Sequence, residues 1–177
     1  MKSLIENFLQ NKNFYLSLVG EHLFITMVAI TIAIIVGVAV GVVISEKRKI
    51  AGIVISIVNV LYTIPSIALL GVLISVTGIG NKTAIIALTL YALLPVVRST
   101  YTGIVNIDEK IVEASEAMGS TKFQTMYKVK LPLAFPVIFS AIRNMVTMTI
   151  ALAGIASFVG AGGLGVAIYR GITTNNA

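Results

Sequence analysis

The stretch EASEAMGSTKFQTMYKVKLP, Glu113 to Pro132, places five charged side chains in twenty positions of a chain in which only 11% of residues are charged. Everything around it is apolar. Of 177 residues, 57% are hydrophobic, and the mean hydropathy is +0.99. Soluble domains keep about a quarter of their residues charged, so this composition points to a bilayer. The net charge of +6 comes without a basic stripe interleaved with aromatics, which argues against a nucleic-acid partner. With no cysteine, disulfides, thiolate chemistry and Cys-ligated metals are excluded, and with His22 as the only histidine a His-based metal site within one chain is not expected. The first twenty residues lack a continuous apolar segment with a small-residue cleavage pattern, so no cleaved signal peptide is expected.

Upstream of the polar stretch, residues 23–44 run LFITMVAITIAIIVGVAVGVVI without a charge. As a helix this extends about 33 Å, enough to cross the hydrocarbon core. A second span is expected over about 50–77, interrupted at NVLYTIPSIALL, where Pro65 removes a backbone donor beside Asn59, Thr63 and Ser66. A kinked helix and a place in a transport path are both open readings of that break. TGIGNK (77–82) is a turn, about 85–104 a third span containing Pro95 and Arg98, and about 134–159 a fourth containing Arg143 and Asn144. The fourth closes on ALAGIASFVGAGGLG, whose small residues allow close helix packing. Its Gly160, Gly162 and Gly165 spell a G-x-G-x-x-G. A dinucleotide fingerprint needs a preceding strand in a soluble domain, and here a membrane helix precedes the run.

Basic loops stay in the cytoplasm. Lys47, Arg48 and Lys49 share one face with Arg98, Lys110, Lys122, Lys128 and Lys130, against Lys2, Lys12, Lys82 and Arg170 on the other. The N-terminus is therefore expected outside and the polar stretch inside. A tether between two spans needs only a few residues, whereas this segment uses about 107–132. IDEKIVEASEAM reads as a helix with Asp108 and Glu109 at its positive end. After Gly119, STKFQTMYKVK reads as a second helix with Ser120 as its N-cap and an apolar stripe of Phe123, Met126 and Tyr127. Such a face needs cover, either from the chain's own spans or from a docking partner.

Glu113, Ala114 and Ser115, then Gly119, then nine residues to Val129, then Leu131 and Pro132, resemble the EAA loop of binding-protein-dependent ABC importer permeases. That pattern is E-A-A, three residues, G, nine residues, I, one residue, L-P. Ser115 stands for the second alanine and Val129 for the isoleucine. The resemblance implies an all-α membrane protein of the type I importer permease class, a helical bundle with four spans here and a cytoplasmic coupling helix-turn-helix. It implies that the loop docks on a separate ABC ATPase subunit, with Glu113 making the polar contact, Gly119 permitting the turn, and Leu131 and Pro132 setting how span four leaves the loop. ATP and magnesium would be bound by that partner, consistent with the lack of a G-x-x-x-x-G-K-[ST] phosphate loop here. Catalytic, cofactor and metal sites are not expected in this chain.

YTIPSIALLG, LLPVVRSTYTGI, LPLAFPVIFSAIR and the glycine run resemble the osmoprotectant branch of that family over about His22 to Gly171. This implies a bacterial plasma-membrane permease for glycine betaine, carnitine or choline, fed by an external or fused substrate-binding protein and paired with a second copy or a related permease. Relatives of the same kind carry other small betaines such as ergothioneine. Family members have a further span after the glycine run, and Val166 to Ala177 is too short and polar to cross a bilayer, so this chain is expected to end before that span. Aromatics at 7% without Trp suggest a passage poor in the cages that recognise trimethylammonium groups. Asn59, Thr63, Pro65, Ser66, Arg143 and Asn144 are the candidates for the path or its gate. Arg143 either faces a helix interface or inner gate, or extends its guanidinium to the cytoplasmic surface. The alternative from another class is a membrane assembly or regulatory subunit that binds a cytosolic protein without moving solute. An intramembrane enzyme lacks a paired-carboxylate or Ser/His constellation.

Overall fold

The computed structural model describes residues 9–174, which are almost wholly helical and contain no strand. The described residues form three helices long and apolar enough to cross a membrane and one bent pair, which makes the expected four crossings if the pair counts as one span. Helix α1 (Lys12–Glu46) begins well before the charge-free segment, because NFYLSLVGEH carries no proline and only one glycine, Gly20, opposes it. Helix α4 (Asn81–Val105) likewise starts several residues earlier than the apolar pattern alone suggests.

Helices α1 and α4 form the centre. Lipid is as apolar as leucine, so their association relies on close fit more than on hydrophobic burial. Gly37 and Gly41 provide that fit: a Cβ at Gly37 would lie 2.8 Å from Val96 Cγ1, and one at Gly41 only 2.5 Å from Thr100 Cβ. Ile30, Ala33, Ala92, Val96 and Met145 fill the middle of the bundle. Mainly alanines, with Ile25, Leu69, Leu70, Leu88 and Val159, fill one end.

The second crossing is not a kinked helix. Helix α2 (Arg48–Thr63) and helix α3 (Ser66–Thr77) meet at 99°. Pro65 is not inside a helix but directly before α3, with φ −57° and ψ 133°, and Ile64 is extended at ψ 127°. A proline disfavours helical geometry in its predecessor and cannot donate to the preceding turn, which accounts for both ends of the break.

The polar segment also departs from two separate helices. Helix α5 (Glu109–Ala117) forms as expected, with the Asp108 side chain accepting from Lys110 N. The turn at Gly119 follows. Helix α6 (Lys122–Thr125) is capped by Thr121, not Ser120, because Thr121 and Gln124 form a reciprocal capping box. It then continues through a π-helical turn (Met126–Lys130) into helix α7 (Leu131–Leu152) without interruption. The π turn lies just before Pro132, whose ring would crowd the carbonyl of residue 128 in an α-helix; widening the turn relieves this. The fourth span therefore extends back to Lys122 and forward through a 3₁₀ segment (Ala153–Val159), 38 residues in all. The glycine run turns the chain into helix α8 (Leu164–Thr174), which lies against the first part of α1. The polar closing residues thus form a short helix as far as Thr174, and 175–177 lie outside the described residues.

Candidate functional site

Two places bring together the residues that the sequence singles out. The first is at the end of the bundle where α1 finishes. There Lys130 Nζ pairs with Glu46 Oε1 at 3.1 Å, and Ile104, Met126, Ala134 and Ile138 pack with Leu131 beneath the polar segment. Met126 is therefore core, not part of an exposed stripe, and Val129 and Leu131 are half-buried. Ser115 is buried and its hydroxyl lies 3.2 Å from Thr125 Oγ1, tying α5 to α6 across the turn. Ser120 N donates to Ser115 O, and Gly119 N to Glu116 O, closing that turn.

What remains outward is a mixed surface. Glu113 and Ala114 are exposed on α5. Met118 is 87% exposed and Phe123 70%. Phe123 and Tyr127 pack against each other with ring centroids 4.6 Å apart and planes tilted by 40°, and both remain largely exposed. An apolar patch beside a carboxylate, on an element pinned by a capping box and a buried hydroxyl pair, is suited to protein docking. Of the seven loop residues, Glu113 and Ala114 face outward, Gly119 makes the turn, Ser115, Val129 and Leu131 hold the element to the bundle, and Pro132 is exposed at the head of α7.

The second place is a cavity of about 330 Å³ at the α2–α3 break. Thr63, Pro65 and Ser66 line it, as do Tyr62, Tyr91, Pro95, Met145, Met148 and Thr149. Tyr91 donates its hydroxyl to the Ile64 carbonyl, the group freed where the helix stops. Its ring meets that of Tyr62 edge to face, with centroids 5.8 Å apart and planes at 67°. The other candidates lie elsewhere. Asn59 is exposed on α2 outside the cavity, and Arg143 is exposed on α7. Asn144 sits one turn from Met148 on the same helix face, just beyond the lining. The two tyrosines were missed by reading spans one at a time, since their 29-residue separation hides the pairing; the only signal was that each flanks a proline by three or four positions.

The glycine run has its own role at the opposite end of the bundle. Gly163 N donates to Glu21 Oε2 at 3.1 Å and Gly162 N to Asn81 Oδ1 at 3.1 Å. A Cβ on Gly162 would fall 1.9 Å from Glu21 Oε2. Buried His22 donates from Nε2 to the Ile150 carbonyl at 3.0 Å, joining α1 to α7. Arg170 lies over the Phe14 ring at 5.7 Å. The beginning of α1 and the glycine run thus share one end, and the polar segment 107–132 occupies the other.

Comparison with known proteins identifies the family. The family model "Binding-protein-dependent transport system inner membrane component" matches residues 17–177. The chain is 40% identical over 176 residues to the carnitine transport permease protein OpuCD of Listeria monocytogenes, covering 99% of this chain and 79% of that protein. It is 42% identical over 167 residues to the glycine betaine/carnitine/choline transport system permease protein OpuCD of Bacillus subtilis, covering 94% of this chain and 73% of the relative. Among solved structures, the MetNI methionine ABC transporter in an inward-facing conformation matches with a TM-score of 0.79 at 30% identity, covering 89% of this chain and 79% of that one.

Proposed function

The chain belongs to the binding-protein-dependent transport system inner membrane components, the multi-pass permeases of ATP-driven importers, and from that premise we propose that the solutes it passes are small quaternary-ammonium or zwitterionic osmoprotectants. It is a transport subunit, with ATP hydrolysed by a separate ATPase and solute delivered by a substrate-binding protein. The observation that carries the substrate class is the near-complete match to relatives named for carnitine, choline and glycine betaine transport.

In this reading α5 and the Gly119 turn seat in the ATPase, with Glu113 as the polar contact and Met118, Phe123 and Tyr127 as the apolar one. ATP and magnesium stay with that partner, and this chain binds no cofactor of its own. The coupling end is cytoplasmic and the beginning of α1 external, as the Lys and Arg distribution favours. The binding protein meets the end that carries the glycine run. A second permease, identical or related, faces the cavity side and completes the passage.

Assembled with its ATPase and binding protein in proteoliposomes, the full-length permease is expected to take up labelled glycine betaine, carnitine or choline only when ATP is inside. Uptake of ergothioneine alone would move the substrate to another betaine. Failure of any ATPase to co-purify with intact permease would overturn the coupling assignment and return the assembly-subunit reading.

A further inference from the structure

We propose that Tyr62 and Tyr91 form a cation–π subsite for the quaternary ammonium group inside the permease itself, making the cavity at the α2–α3 break a point of selection in the passage. The inference rests on the osmoprotectant reading for its ligand and on the cavity for its place.

Tyr91 is fixed by its hydroxyl to the Ile64 carbonyl, so its ring is held against the break and cannot swing away. Tyr62, the last residue but one of α2, closes the corner at 67°. Both rings line the cavity, and a cation gains from a ring face within about 6 Å of its centroid. Met145 and Met148, also in the lining, add polarizable thioethers. The lining contains no charged side chain. A carboxylate there would bind cations of every kind and release them slowly; ring faces favour a bulky, weakly hydrated ammonium and hold it loosely. Hydroxyls of Ser66 and Thr149 in the same cavity suit the polar tail of such a solute. The volume, about 330 Å³, is at the small end of ligand sites, which run from roughly 300 to 1,000 Å³.

The test uses two readouts. The full chain, labelled with 3-fluorotyrosine and assembled with its partners in nanodiscs, is titrated with choline and with its neutral carbon isostere 3,3-dimethylbutanol while ¹⁹F resonances are followed. In parallel, uptake of labelled choline is measured at limiting concentration for Tyr62→Leu and Tyr62→Phe. Expected are choline-dependent shifts at Tyr62 and Tyr91 that Tyr101 and Tyr127 do not show and the isostere does not produce. Uptake should fall about tenfold in Tyr62→Leu and persist in Tyr62→Phe, which keeps the ring. Equal response to the isostere, or at every tyrosine, makes the cavity a generic apolar pocket and overturns the proposal. Wild-type uptake with no local shift, and no loss in Tyr62→Leu, sinks the subsite and leaves the importer reading standing. Selective shifts without wild-type uptake support the subsite and count against the importer reading.

Discussion

Gly119 adopts φ +87° with nothing within 4 Å of where its Cβ would be. Its glycine is required by backbone geometry alone, since space is plentiful. An L-residue forced into that region loses about 1–2 kcal/mol, so Gly119→Val is expected to insert normally yet reshape the turn and uncouple ATP hydrolysis from transport. Normal coupled ATPase activity in that variant would remove the turn from the mechanism. Ser115 gives the opposite expectation. Its hydroxyl pair with Thr125 is buried but neutral, and such bonds contribute about 1 kcal/mol. Ser115→Ala should lower thermal stability slightly and leave uptake intact, because Thr125 can turn its hydroxyl to the preceding helical turn; a large transport defect would show that the pair has a role beyond anchoring.

At the scale of elements, packing between α1 and α4 depends on two glycines one turn apart. Gly41→Val places methyl groups where Thr100 already sits, 2.5 Å from the new Cβ. Overpacking of this kind costs about 1–3 kcal/mol, and less folded permease should be recovered in a detergent-resistance assay; unchanged recovery would mean that the two helices separate without penalty. The positions of the crossings were legible in sequence because hydropathy reports them directly. How Pro65 acts was not: a proline within an apolar run looks the same whether the helix bends slightly or turns by 99°, and only packing of Tyr91 against Ile64 distinguishes the two. The π turn before Pro132 was equally hidden. Ser120 and Thr121 are both competent caps, and Gln124, three residues beyond Thr121, was the overlooked signal.

For the whole molecule, the polar segment and the glycine run lie at opposite ends of one bundle, so a change at Glu113 reaches the cavity only through the helices. Glu113 is exposed, and Glu113→Lys is expected to preserve insertion and yield while abolishing transport-coupled ATP hydrolysis; retained coupling would place the docking contact elsewhere. Arg143 is exposed in the middle of α7 with no ion-pair partner among the described residues. A charge at mid-span costs roughly 2.5–3.5 kcal/mol on insertion scales, which points to a partner supplied by a second permease or by headgroups. Arg143→Ala should reduce uptake more than Arg98→Ala, and small equal losses would assign both to the lipid surface. The EAA-like pattern was legible because its residues are local in sequence, whereas the cavity draws on α2, α3, α4 and α7 and had no local signature.

The unbroken path from Lys122 to Val159, 38 residues, is about 57 Å long if helical throughout. In the proposed orientation it makes the fourth span a lever with one arm in the cytosol and the other at the far face of the membrane. Met145, Met148 and Leu152 are mounted on this rod, so a tilt imposed at Phe123 and Tyr127 displaces one wall of the cavity while Tyr62, on a separate helix, stays behind. Nucleotide-driven motion of the ATPase would then open or close the corner around a solute mechanically, with no relay of side-chain rearrangements in between.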